Sequence, residues 1–199
     1  RSFADFSQMT QAVAAPLANI ADGVIKADAA FAALAIGGMA LAINESGKFG
    51  ASFNEIATLI DAPAESLEVF RRDIVEYAKT STASFEDINA SIYSAISAGT
   101  DYSNSLSLLA TSEKLATAGK ADLESTTRLL ASTMNAYGAE VEEAGRYSDV
   151  FFTIVKDGQT TLPEIADGLS SVTGLAATAD VPIEELGAAL AALTAYGDP

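Results

Sequence analysis

The sequence lacks two residue types on which much side-chain chemistry depends. It contains no cysteine and no histidine, which excludes disulfides, thiolate or imidazole metal ligands, cysteine nucleophiles and Ser–His–Asp triads. It has no tryptophan either, and aromatic residues make up only 8% of the chain. Helices rich in alanine bury little area each, so we expect thin helix pairs rather than a thick globular core.

Basic residues are also scarce. The chain has 11 Lys and Arg against 27 Asp and Glu, for a formal net charge of −16. Contacts with nucleic-acid phosphates require clustered basic side chains, so the charge argues against a nucleic-acid-binding surface. No signal-peptide pattern is visible, and Arg1 begins inside a repeating apolar pattern, which predicts that this sequence was cut from a longer chain.

What the sequence does contain is a regular series of glycines from residue 84 onward. They stand at intervals of 20, 19, 20 and 39 residues, and the windows between them have apolar residues at helical spacing. Glycine readily adopts the left-handed backbone conformation just past a helix end. We therefore predict an all-α fold, a helix-hairpin repeat or elongated helical bundle. The predicted helix ends are Gly99, Gly119, Gly138, Gly158 and Gly197.

Two short motifs predict helix starts within this repeat. Ser84 to Asp87 and Thr161 to Glu164 both have the capping-box pattern, in which a hydroxyl and a carboxylate three residues apart each accept a hydrogen bond from a backbone N–H. Strictly alternating strand patterns are nearly absent. Both observations favour helices throughout.

Residues 1–48 follow a different pattern. Their apolar or small residues alternate spacings of three and four from Phe3 to Leu41, the heptad pattern of a helix that packs along another helix or a copy of itself. Pro16 interrupts the pattern and predicts a kink or two helices. A single amphipathic helix on a domain surface explains the spacing equally well.

Fifteen uncharged residues, Ala29 to Ile43, end this heptad segment. A helix that spans a bilayer needs about 20 residues, so a buried core helix is the simpler interpretation. Small residues at Ala29, Ala33 and Gly37 would allow close helix contact in lipid or in protein. Membrane insertion therefore remains open.

We divide the chain into three segments. Residues 1–48 form the heptad-patterned segment with its apolar stretch, and residues 49–83 form a short helical connector. The polar run from Thr80 to Ser84 is the best boundary before the repeat domain at 84–199.

Paired carboxylates are the nearest approach to catalytic chemistry. Each pair lies close to a predicted helix start, where negative charge interacts favourably with the helix dipole while it stays solvated. Acid–base catalysis would need a pocket that separates the pKa values of two carboxyl groups. We therefore predict no catalytic, cofactor-binding or metal-binding residues and no cofactor. The pairs are Glu86-Asp87, Glu142-Glu143 and Glu184-Glu185.

Several stretches of the repeat closely resemble one known family when their order and spacing are taken together. They are Leu115-Ala-Thr-Ala-Gly-Lys-Ala-Asp-Leu123, Met134-Asn-Ala-Tyr-Gly138, Asp149, Thr160-Thr-Leu-Pro-Glu-Ile165 and Ile183-Glu-Glu-Leu-Gly-Ala-Ala-Leu-Ala-Ala-Leu193. This order resembles the N-proximal domain of tape measure proteins from long-tailed bacteriophages. The resemblance covers most of Phe49–Pro199 and is strongest from Ala110 onward.

The resemblance implies a non-enzymatic structural protein, mostly helical, that lies in the lumen of the tail tube of the virion. It implies that the protein acts as tape measure and scaffold in host cytoplasm, then leaves ahead of the DNA to help the genome cross the host envelope. The implied partners are further copies of the chain (a trimer), the tail tube protein, baseplate or tail-tip hub proteins, tail assembly chaperones and the host inner membrane at ejection.

The sequence departs from the family in two places. Asp180 stands where the family usually has glycine before the last helix, and the chain ends at Pro199, short of the usual continuation. The repeat domain is therefore expected to be truncated at its C-terminal end. The alternative function is a membrane-active helical protein, pore-forming or toxin-like, that uses residues 29–43.

Overall fold

A computed structural model describes residues 49–197, apart from the side chains of residues 170 and 171. The heptad pattern and the apolar stretch Ala29 to Ile43 lie outside the described residues, and the three-segment division stays a prediction. The chain divides into two units, Arg1–Ala51 and Ser52–Pro199. The packing described below is that of the second unit.

The described residues form eight α-helices and one 3-10 turn, and no strand occurs within 49–197. The prediction of an all-α fold is confirmed. The helices are α1 (49–57), α2 (Ala64–Ala78), α3 (Phe85–Ser97), α4 (Tyr102–Gly119), α5 (Leu123–Tyr137), α6 (Ala144–Gly158), α7 (Leu162–Thr178) and α8 (Ile183–Ala195), with the 3-10 turn at Val141–Glu143 before α6.

Alternate helices make the most extensive contacts. The largest interface joins α6 to α8, followed by α3 with α5 and α5 with α7. Neighbours such as α4 and α5 also pack together, and α4 contacts α6. The core runs through these helices as one cluster that includes Leu130, Phe151 and Leu169, all 0% exposed.

Side-chain caps mark the starts of α3, α4, α5 and α7. Thr161 and Glu164 form the complete capping box that the sequence predicted. The Ser84 box is incomplete and corrects that prediction: the Ser84 hydroxyl accepts the Asp87 N–H, but the Asp87 carboxylate accepts the Ser84 hydroxyl. Because the Asp87 carboxylate bonds this hydroxyl, only half of the reciprocal box is present.

The predicted helix ends are correct in position but not all in mechanism. Gly138 follows α5 with φ +62°, as a left-handed cap should. Gly119 and Gly158 instead are the last residues of their helices, and the left-handed residues are Lys120 and Gln159, with φ of 51° and 53°. The cap role predicted for Gly119 and Gly158 is therefore wrong, because the left-handed conformation falls one residue later.

These two glycines serve close packing. A Cβ on Gly119 would meet the Leu162 side chain, 2.9 Å from its Cγ atom. A Cβ on Gly158 would lie 3.0 Å from the Ala191 Cα atom and also against the Thr194 hydroxyl. Gly119 therefore makes room for the Leu162 side chain, and Gly158 lets α6 and α8 approach closely.

Gly138→Ala is expected to lower the free energy of unfolding by about 1–2 kcal/mol, because alanine in the left-handed conformation clashes with its own backbone. No atom lies within 4 Å of the position that the new Cβ would occupy, so the effect isolates backbone strain. Urea unfolding followed by circular dichroism measures it.

The matched control is Gly168→Ala on the exposed side of α7, which also has open space around it but no positive φ. That change should stabilise the protein by about 0.5–1 kcal/mol. Equal effects of the two substitutions would contradict the cap role of Gly138.

Candidate functional site

In the part of the chain that the structure describes, a groove of about 600 Å³ lies between α6 and α8. The contacts between the two helices advance in the same direction along both: Arg146 with Glu184, then Gly187 with Ile154, then Gly158 with Ala191. The helices are therefore parallel. Since glycine stands on each side of the interface, they approach closely and leave an open groove above it.

The floor and walls of this groove are apolar or small. Val150 and Ile154 come from α6, and Gly187, Ala188 and Ala191 come from α8. A Cβ on Gly187 would lie 2.7 Å from the Val150 Cγ1 atom. From Gly187 to Ala191, the residues of α8 that line the groove are therefore all small.

The rim of the groove is acidic. Asp149 and Asp157 of α6 line it, as does Glu184 at the start of α8. Glu184 forms an ion pair with Arg146, whose Nε and Nη2 atoms donate to its two carboxylate oxygens at 2.6 and 3.1 Å. Among the described residues, neither Asp149 nor Asp157 takes part in an ion pair.

Arg146 binds one carboxylate from each of two predicted acidic pairs. It also donates to Glu143 at 2.7 Å. Its hydrogen bonds, first of all those to Glu184, raise the pKa of the guanidinium. The pKa of Glu184 is correspondingly lowered, chiefly by its bond to Arg146. All three side chains are about half exposed, so the cluster contributes little to stability.

The acidic pairs lie where the sequence placed them, in the first turns of α3, the 3-10 turn and α8. The meeting of Glu143 and Glu184 on Arg146 was missed, because it joins residues 38 positions apart. The available signal was the scarcity of basic residues, because between Glu142 and Glu185 the chain has only Arg146 and Lys156 to pair with these carboxylates. The expectation of no catalytic, cofactor or metal residues stays a prediction.

A second polar cluster surrounds Glu113 on α4. Its Oε2 atom accepts the Tyr77 hydroxyl at 2.5 Å and the Ser81 hydroxyl at 2.9 Å. Its Oε1 atom accepts both the backbone N–H and the hydroxyl of Thr82 at 2.8 Å. One carboxylate therefore holds the end of α2 and the loop before α3 against α4.

The Glu113 network changes the acidity of both partners. Burial raises the pKa of the Glu113 carboxyl, but the hydrogen bonds from Tyr77, Thr82 and Ser81 outweigh burial and lower it to about 2. Burial and the neighbouring Glu113 raise the pKa of the Tyr77 hydroxyl. The carboxylate is therefore charged in the folded protein at all but strongly acidic pH.

Glu113→Gln is expected to lower the free energy of unfolding at pH 7 by about 1.5–3 kcal/mol, because hydrogen bonds to a charged group are replaced by neutral ones. The folded carboxyl titrates near pH 2 and its ordinary value is 4.5. The contribution is therefore complete above pH 4.5 and is lost as the pH falls toward 2. Urea unfolding at pH 7 and pH 3 should show the two proteins converge.

The control is Glu142→Gln, an exposed carboxylate in the 3-10 turn, which should change stability by less than about 0.5 kcal/mol. A constant difference between the wild type and Glu113→Gln at both pH values would contradict the network's charge dependence.

Two further properties concern the part of the chain that the structure describes. No group of acidic side chains there is placed to hold a metal ion. None of the helices there is both long enough and apolar enough to cross a bilayer.

The architecture defines an all-α helical module whose notable features are an acid-rimmed groove and interhelical polar contacts. Similarity to known proteins places it more closely. The family described as phage-related minor tail protein matches residues 71–199, well over half of the chain. The chain belongs to this family of phage tail proteins.

Two relatives are individually informative. A probable tape measure protein of Clostridium phage phiCD119 is 24% identical over 155 residues, which cover 76% of this chain and 16% of the relative. The tape measure protein of Pneumococcus phage Dp-1 is 21% identical over 162 residues, covering 81% of this chain and 14% of that protein. The chain thus spans about one-seventh of the length of these relatives. No solved structure matches it.

Proposed function

We propose that this chain is a segment of a tape measure protein, a non-enzymatic scaffold whose length sets the length of the tail tube during assembly. The observation that supports this most strongly is the similarity over about three-quarters of the chain to two proteins named as tape measures. Since the chain spans only 16% and 14% of those proteins, the measuring role would belong to the whole protein.

The helices offer a physical basis for measuring. An α-helix rises 1.5 Å per residue, so residues 84–197 would extend over about 170 Å as one continuous helical line. Packed side by side, the same residues reach a shorter distance, because the longest of their helices has 18 residues. The contribution of this segment to a tail therefore depends on whether its helices are bundled or strung out.

Several helices have local caps that would help them to stay helical when they are separated from one another. α5 begins with the Asp122 cap and α7 with the Thr161 capping box, and both caps use only residues next to the helix start. Local caps remain available when tertiary contacts are lost. This favours a scaffold that keeps helical structure in an extended state.

The test is a change of length in the phage that encodes this chain. In-frame deletion of residues 84–197 should shorten the tail by about 170 Å if the segment is extended in the tail, and duplication of the same residues should lengthen it equally. Negative-stain electron microscopy of purified particles measures both. A replacement of equal length with an unrelated helical sequence is the control for length alone.

Unchanged tail length in both the deletion and the duplication would overturn the measuring role of this segment. If the deletion prevents assembly, the duplication alone still decides the question. A tail that is shortened by the deletion and restored by the equal-length replacement supports measurement by length.

The proposal includes a location and partners. The protein would occupy the lumen of the tail tube and contact the tube protein, the baseplate or tail-tip hub and tail assembly chaperones. On infection it would leave ahead of the DNA and assist passage of the genome across the host envelope. Its membership in a tail protein family supports contact with other tail components.

Association of copies through the heptad segment belongs to the same proposal. In a single copy the apolar seam from Phe3 to Leu41 would be exposed to solvent, and in a trimer it would be buried between the copies. Leu34→Glu should then reduce oligomer formation, measured by sedimentation, and leave the circular dichroism of the helices from α3 onward unchanged. An unchanged oligomeric state would contradict the seam.

A further inference from the structure

We propose that the groove between α6 and α8 is a docking site for a basic amphipathic helix of a different protein. The groove has the size of typical ligand pockets, about 600 Å³. Its lining combines an apolar floor with an acidic edge, the arrangement that a helix with both apolar and basic residues on one face would complement.

The spacing of the acidic edge fits a helix. Asp149, Thr153 and Asp157 follow each other at intervals of four along α6, so the two carboxylates lie about 12 Å apart along the helix axis. Two basic residues separated by two turns on a partner helix span a similar distance. An apolar residue between them would face the groove floor beside the half-buried Val150.

The wall on α8 gives room for such a partner. Gly187, Ala188 and Ala191 form it, and small side chains allow a third helix backbone to come close to α8. Ala188 is exposed, so this position contributes to the surface and not to the core. The groove is therefore open along the side where a partner would lie.

The electrostatic field favours a basic partner most strongly at one end. Arg146 compensates Glu184 at the end where α6 and α8 begin, whereas Asp149 and Asp157 have no ion-pair partner among the described residues. α6 and α8 are parallel, so their C-terminal carbonyl groups also face the Asp157 end and add partial negative charge there. Lys156 is in the same turn but does not line the groove.

Charge also argues against a second copy of this surface as the occupant. The chain carries a formal charge of −16, and no residue after Lys156 is basic. Two acidic grooves would repel each other, whereas a basic helix gains from the same field. That the partner belongs to a phage tail rests on the proposed function; the binding itself does not.

The test uses the whole chain and a defined probe. The probe is a capped, fluorescently labelled helical peptide, based on alanine, with two lysines two turns apart on one face and leucine between them. Fluorescence anisotropy at physiological salt measures its affinity. Matched peptides replace either the lysines with glutamate or the leucine with serine, and both should bind more weakly.

The protein variants separate the groove from the general acidity of the chain. Asp149→Asn combined with Asp157→Asn should weaken binding by about five- to tenfold. The matched double variant Glu65→Gln with Asp73→Asn removes two exposed carboxylates from α2 and should weaken it less than about twofold. Ala188→Phe fills the groove without a change in charge and should weaken binding as much as the first variant.

Three results would overturn the proposal: no binding of the lysine peptide, equal losses for the two double variants, or normal binding by Ala188→Phe. A change in the chain's own sedimentation with Ala188→Phe would instead identify a second copy as the occupant. None of these measurements depends on tail length, so the docking site can fail while the proposed function stands, and the reverse.

Discussion

Phe151→Ala is expected to lower the free energy of unfolding by about 3–5 kcal/mol. Phe151 is 0% exposed at the centre of α6 and belongs to the main core cluster. Truncation removes its buried surface and leaves a cavity that the surrounding helices fill only partly. Since domains of this size are stable by about 5–15 kcal/mol, the loss is a large share of the total.

The matched control stands next to it. Phe152 is 41% exposed, so Phe152→Ala removes the same atoms from the same helix with little cavity and should cost less than about 1 kcal/mol. Urea unfolding of both variants measures the difference. Comparable losses would mean that α6 is rotated about its axis from the orientation described above.

Gly158→Ala is expected to destabilise the protein by about 1–3 kcal/mol, although alanine is the better helix former. The new Cβ would meet the Thr194 hydroxyl and lie 3.0 Å from the Ala191 Cα and 3.3 Å from its carbonyl oxygen. Backbone atoms cannot rotate away as a side chain can. The largest helix interface of the unit, that of α6 with α8, must therefore move apart.

The same substitution should have the opposite sign at Gly174. This glycine lies on the exposed side of α7 with no atom within 4 Å of a new Cβ, and Gly174→Ala should stabilise by about 0.5–1 kcal/mol. Thermal unfolding of the two variants shows the sign directly. If both substitutions stabilise, α8 does not pack closely on α6.

The glycine pattern shows which features of the fold the sequence can predict and which it cannot. It placed the helix ends within one or two residues, because regular breaks in a helical period are a local signal. It could not tell whether a glycine is there for its backbone or for its missing side chain. At Gly138 the reason is conformation, but at Gly119 it is the Leu162 side chain and at Gly158 it is the helix packed against the glycine.

That ambiguity also explains why ordinary residues adopt the left-handed conformation. Lys120 and Gln159 follow glycines that packing already requires, so the helix ends one residue later and these side chains accept a cost of about 1–2 kcal/mol each. Asp180 also has a left-handed backbone, with φ +54° before α8, but it follows Ala179 and not a glycine. The sequence alone offered no means to weigh packing against conformation at the turns of Lys120 and Gln159.

The polar contacts were less predictable than the helices. The Thr161 capping box lies within four residues and was found, whereas the Glu113 network joins residues 31 to 36 positions apart and was not. The groove depends on the parallel pairing of α6 with α8, which no pattern along either helix specifies. The same packing determines that Phe151 is buried in the core and that Phe152 is not.

The order of helix contacts also determines how the unit would respond to mechanical force. In the main interfaces, each helix contacts the next helix along the chain or the one after it. Few contacts therefore join the two ends of the unit. A pull on the carboxyl end would act first on the α6–α8 interface, and then on the contacts of α7 with α5. We expect a force–extension trace with several small steps, in which helices come away one after another from that end, and not one large rupture.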